Sequence, residues 1–174
     1  ALFDLNAQTV SEIRTHHGQT TPEGIAANNI INTLSQNLPD IDHEQLYLFA
    51  GQVNCLSMIL LRSCSGENPQ TLDTQRQDHI RNATLRNQYG TIVSNRHDLG
   101  LEGVTNHLVE CLISNSVNFL DYSTMESEFE LFLNNTNPGW KGRYGYELTP
   151  PELVDYMISL SDKRLRQIDG FGQT

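Results

Sequence analysis

Three arginines at five-residue steps, Arg76, Arg81 and Arg86, are the side chains of this chain best suited to a chemical task. A guanidinium is planar, permanently charged and able to give two parallel hydrogen bonds to a phosphate or carboxylate. Successive arginines five apart drift about 140° around a straight α-helix. They therefore form no single stripe, and a polyanion surface made from them would be assembled from several copies of the chain. The plainer alternative is a solvated helix with ordinary ion pairs such as Asp73–Arg76 and Asp78–Arg81.

A second group lies in the stretch from Asn134 to Tyr146, which carries three glycines and a proline. Trp140, Tyr144 and Tyr146 stand there among Lys141 and Arg143. Aromatics interleaved with bases can stack on nucleobases. More often such residues pin a loop to the body or make a subunit contact. No dinucleotide or phosphate loop, zincin helix, C-x-x-C pair or nucleophile elbow occurs in the chain. Glu126, Glu128 and Glu130 read as a solvated face. His43, His79, His97 and His107 are scattered, and His16–His17 is too short a tract for a metal site. The expectation is a protein that is not an enzyme and holds no metal or cofactor.

Composition narrows the partners. The 174 residues suit one domain with a real core. Only 37% are apolar and 18% charged, so the surface is polar more than ionic. The formal net charge of -10 argues against nonspecific binding to nucleic acid or anionic membrane by the whole surface. The charge is uneven. Residues 62–96 hold five arginines and three acids, the only net-positive window, whereas residues 97–140 hold seven acids and no Lys or Arg. An anion can find a local site in that window. Three cysteines, Cys55, Cys64 and Cys111, form no framework and suggest reduced thiols in an intracellular protein. No signal peptide is recognised, so the two Asn-X-Thr sequons are not read as glycosylated. No apolar run approaches the roughly 20 residues of a membrane span.

The elements that must position these residues are helical throughout. Residues 1–20 read as an N-terminal arm that docks as a short helix through Leu2, Phe3, Leu5, Val10 and Ile13. Thr21-Pro22-Glu23 starts a helix with Ile25, Ile30, Ile31, Leu34 and Leu38 at approximate helical spacing. Asp42 opens a second, central helix with Leu46, Phe49, Val53, Leu56, Leu60 and Leu61 inward. The arginine segment reads as a third helix over about 71–97, sparse in apolar residues. A fourth, from 101 to about 113, puts Leu101, Val104, Leu108, Cys111 and Leu112 on one face. Ser123 caps a fifth that leads to Phe129, Phe132 and Leu133. Thr149-Pro150-Pro151 starts a last one. About six helices with short joints make an all-α helical bundle. It comprises an arm (1–20), a bundle core (21–137) and an aromatic and basic loop with a C-terminal helical extension (138–174).

Several stretches bear a family likeness. Thr71-Leu72-Asp73-Thr74-Gln75-Arg76 with Arg86 resembles a segment in coat proteins of rod-shaped, tobamovirus-like plant RNA viruses. Residues 106–113 (NHLVECLI) are similar to that family's long C-terminal bundle helix. Tyr122 with Phe129-Glu130, and residues 32–37 (NTLSQN), match two further short stretches. Gln77 stands where the family carries a second arginine. The resemblance implies a four-helix bundle that stacks into a helical filament on single-stranded RNA, a homo-oligomer in a virion or in the host cytoplasm. On this reading Arg76, Arg81 and Arg86 are the phosphate partners. Two alternatives stand beside it. One is an all-α adaptor or effector that binds another protein through the Trp140 loop. The other is a globin-like haem protein, because the spacing of Pro39, Phe49 and His97 looks like a corner proline, a haem-packing Phe and a proximal His.

Overall fold

The structure, a computed structural model, describes residues 1–38, 40–65, 80, 82–114 and 130–138, and of residues 60–65 and 113 the backbone only. The described residues form an all-α bundle of five helices: α1 (Leu2–His16), α2 (Pro22–Ser35), α3 (His43–Ser65), α4 (Ala83–Asn95) and α5 (Glu102–Ser114). A further helical stretch covers 130–136. No strand occurs among the described residues. Nor is any described helix long and apolar enough to cross a membrane.

The two helix starts expected from capping residues have the geometry that explains them. Thr21 accepts a hydrogen bond from the Gly24 N–H at 3.2 Å, and Pro22 takes the first helical position, where no N–H is needed. Asp42 Oδ1 accepts from the Gln45 N–H at 2.9 Å and opens α3. The Glu23 carboxyl, in the first turn of α2, is held below its ordinary value by its own backbone N–H and then by Thr21.

Helix α3 is the central element. Every residue from 50 to 55 is buried, so no face of that turn reaches solvent. It packs most extensively against α1, and also against α2 and α4. The first twenty residues dock on the bundle as a helix, as expected, and it runs for 15 residues. Leu5, Val10 and Ile13 of α1 are 0–6% exposed and belong to the core. The apolar stripe of α1 is interrupted by Asn6 and Thr9, which are buried with it, and that dilutes its helical signature.

Two expectations are corrected. Ile25 is 53% exposed. The inward face of α2 is set by Ala27, Ile30, Ile31 and Leu34, and Ile25 falls on the opposite side of the helical wheel. Helix α4 begins at Ala83, well inside the expected span of 71–97. Asn82 is its cap and accepts from the Leu85 N–H at 2.9 Å, while Ile80, before it, is buried outside any helix. Residues 71–79 lie outside the described residues. Asn82→Ala is expected to cost about 1 kcal/mol and to lower the thermal midpoint by about 2–4 °C, measured by circular dichroism.

Helix α5 buries Leu108 and Leu112 behind Leu101, on the face expected from the sequence. The helical stretch 130–136 runs past Asn134, where a loop was expected to begin: the Asn137 N–H donates to Leu133 O at 2.8 Å. This stretch is tied to α3 by Gln52 Nε2 donating to Thr136 Oγ1 (3.2 Å) and Asn137 Nδ2 donating to Gln45 Oε1 (3.3 Å). Met125 and Phe129 lie outside the described residues.

The core also contains a polar chain. Asn54 of α3 donates to Thr9 Oγ1 of α1 at 3.0 Å and accepts from Arg96 at 3.3 Å. Arg96 is only 3% exposed, and its guanidinium lies 6.0 Å from the Tyr89 ring centroid. Each such bond contributes about 0.5–1.5 kcal/mol net. Arg96 is thus an internal side chain, although the sequence places it in the net-positive window.

Candidate polyanion groove

Helices α2 and α4 pack antiparallel, because four residues forward on α2, from Asn29 to Thr33, match four residues back on α4, from Asn95 to Thr91. Asn29 Nδ2 donates to Asn95 Oδ1 at 3.3 Å, and one turn along the Thr91 and Thr33 hydroxyl oxygens lie 3.4 Å apart. Below these rungs the helices bury Ile30, Leu34, Tyr89 and Ile92. Above them they leave an open groove of about 790 Å³.

The groove wall is chemically uniform. It consists of Asn29, Asn32 and Thr33 from α2 and of Ala83, Arg86, Asn87, Gly90, Thr91, Ser94 and Asn95 from α4. Nearly all of these side chains are amides or hydroxyls. Several are oriented by their own helix: Thr33 donates to Asn29 O, Thr91 to Asn87 O, Ser94 to Gly90 O and Asn95 to Thr91 O. Among the described residues the wall contains no carboxylate and one cation, Arg86.

Arg86 is half-buried in the first turn of α4. The helix dipole puts partial positive charge at that same end. Its backbone N–H donates to Asn82 O at 2.9 Å, and no carboxylate among the described residues pairs with its guanidinium. A guanidinium held among neutral amides, with no acid beside it, keeps its donors for an external anion. Among the described residues the wall has no aromatic side chain to serve as a platform for base stacking.

Of the residues singled out in the sequence, Arg86 alone is in the groove. Arg76, Arg81, Trp140, Tyr144 and Tyr146 lie outside the described residues, as do Asp73, Asp78, Pro39 and His79. His97 is 81% exposed, and its Nδ1 lies 3.1 Å from Glu102 Oε1 across the turn from α4 to α5. That ring faces solvent, where no haem pocket stands. Phe49 is half-buried. His107 lies on exposed α5 surface with its Nε2 4.0 Å from Cys111 Sγ, while His43 packs against His17. These histidines do not converge. No group of three or more His, Cys, Asp or Glu side chains is arranged to hold a metal among the described residues.

The amide and hydroxyl rim is absent from the sequence reading. Asn87, Thr91 and Asn95 repeat at four-residue intervals, as do Asn29 and Thr33, and that spacing was the signal for one polar row on each helix. Compared with known proteins, the chain matches no family model, no curated protein and no solved structure.

Proposed function

We propose that this protein is a non-enzymatic structural subunit that assembles with copies of itself and holds single-stranded RNA, with the groove between α2 and α4 taking the strand and Arg86 a phosphate. The observation that carries this reading is a polar groove that, among the described residues, holds no acid and one guanidinium without a carboxylate partner, in a chain of net charge -10. Local cation and global anion together favour a confined contact over indiscriminate binding. Arg76 and Arg81 precede Arg86 in the chain and extend the same cationic segment. The coat-protein resemblance supports the choice of RNA and of self-assembly, with the virion or the host cytoplasm as the place of action. Without stacking platforms in the groove, contact is made with phosphate and sugar and is independent of sequence.

The test is size-exclusion chromatography with light scattering on natively purified protein, followed by binding of a labelled single-stranded RNA. The reading expects a large particle carrying nucleic-acid absorbance, and binding that weakens as salt rises. A monomer free of nucleic acid, with no affinity for the RNA, overturns it.

A protein-binding module is the second reading. It is favoured by Phe3 and Leu131, 48% and 52% exposed, at the end of the bundle where the Phe3 and Phe132 rings meet at 5.7 Å. It expects no RNA affinity and a stable monomer.

A further inference from the structure

The end of the bundle where α1 finishes against the start of α3 holds a cluster of titratable side chains that the RNA reading does not use. His17 follows the last residue of α1. Its Nδ1 lies 2.9 Å from the Tyr47 hydroxyl, and the His43 ring meets it edge-on at 4.8 Å between centroids. Tyr47 is buried. Beside it Arg14 grips Glu44 through two nitrogens at 2.8–3.3 Å, and the same guanidinium lies 5.8 Å from the Tyr47 ring centroid.

The cluster also governs how the chain enters α2. After His17 the backbone turns through Gly18 at φ +85°, a conformation that a residue with a Cβ rarely adopts. The Gly18 N–H donates to Asn28 Oδ1 at 2.8 Å, and Asn28 Nδ2 donates to Gln19 O at 3.2 Å. One short turn thus links the C-terminus of α1, the N-terminus of α3 and the middle of α2.

We propose that this junction is a proton-operated latch, closed at neutral pH by the Tyr47–His17 hydrogen bond and released when His17 takes up a proton. In the closed form the Tyr47 O–H donates and the neutral imidazole accepts. The protonated ring has no acceptor left, so the contact survives only if the Tyr47 hydroxyl turns to accept, directing its own proton away from the imidazole. The charges around the ring add to this. From α1 come Arg14, His16 and Glu12, with His16 Nε2 3.5 Å from Glu12. From α3 come His43 and Glu44. From α2 comes Glu23, whose carboxyl is influenced by His16. Glu44 is committed to Arg14, so a charged His17 faces His43 without a free carboxylate on α3.

Burial, and then His43, hold the His17 imidazole below its ordinary value. Burial, and then Glu44, raise the Tyr47 phenol above its own, which keeps that hydroxyl a donor. The sign follows. A histidine whose pKa is lower closed than open gives its full stabilisation above about pH 6.5 and loses it as pH falls through the closed-state value. Acid therefore opens the latch.

The experiment is NMR on the full chain between about pH 7.5 and pH 5.5, following the imidazole shifts and the exchange of the His17 and Gln19 amides. Those amides close the turn by donating to Ile13 O and His16 O. Corrected for intrinsic exchange, their protection should fall by roughly tenfold for each unit by which closure lowers the His17 pKa. In His17→Gln the acid-dependent loss should disappear. In Tyr47→Phe low protection should be present already at neutral pH. Amides of Ile31 and Met58 in the core report that each variant is folded. An ordinary His17 titration, or an acid-dependent loss that persists in His17→Gln, overturns the proposal.

Discussion

Replacing Gly51 with leucine will detach α1 from α3, and even alanine at this position will destabilise the bundle. A Cβ on Gly51 would stand 2.5 Å from Asn6 Oδ1, 2.8 Å from Val10 Cγ2 and 3.1 Å from the Asn6 backbone oxygen. All three atoms belong to α1: the two side-chain atoms can turn aside, but the backbone oxygen gives way only if the helix itself shifts. Alanine is the better helix former by about 1 kcal/mol, but overpacking costs about 1–3 kcal/mol, and the backbone oxygen cannot rotate away. Gly51→Ala should lower the urea midpoint with an unchanged slope. Gly51→Leu should also remove amide protection along α1. The exposed Gly103, near the start of α5, is the control, since nothing lies within 4 Å of its Cβ position. Gly103→Ala should be neutral or stabilising by up to about 1 kcal/mol.

The second large effect is on RNA. Replacing Arg76 and Arg86 together with glutamine should weaken single-stranded RNA binding and leave the bundle folded, as read by circular dichroism. The slope of log affinity against log salt should fall by about 0.7 for each phosphate contact removed. Arg86→Gln alone tests the groove, because this side chain is its only cation among the described residues. An unchanged RNA content and salt slope in the double variant would remove the arginines from the function.

Comparing sequence and structure shows which signals carried information. The caps at Thr21 and Asp42 were legible because capping is local: a side chain, three residues and one backbone N–H decide it. The central position of α3 was legible because it carries the densest set of apolar residues of the described helices, Leu46, Phe49, Val53 and Leu56 among them. The docking of α1 was legible from Leu5, Val10 and Ile13, while the burial of Asn6 and Thr9 was not, because it depends on partners 45 and more residues away, such as Asn54. Ile25 was misplaced because an isolated apolar residue was fitted to a spacing that Ala27, Ile30, Ile31 and Leu34 define better. The start of α4 at Asn82 was missed because one capping residue within a long polar stretch does not announce itself. The groove was half legible: Arg86 stood out by its charge, while the amide rows that flank it looked like ordinary solvated surface. The His17–Tyr47 pair spans 30 residues and no local pattern marks it.

The hydrogen-bonded chain through Thr9, Asn54 and Arg96 also acts on direction. Apolar packing is tolerant of rotation, since one methyl group can stand in for another. An amide is not: its Nδ2 must face α1 while its Oδ1 faces α4. Turning α3 by a single residue would swing Asn54 by about 100° and break both contacts at once. Along the turn 50–55, which is buried all round and has no exposed face to say which side is out, Asn54, together with Gln52 bonded to Thr136, fixes the angle at which α3 is set.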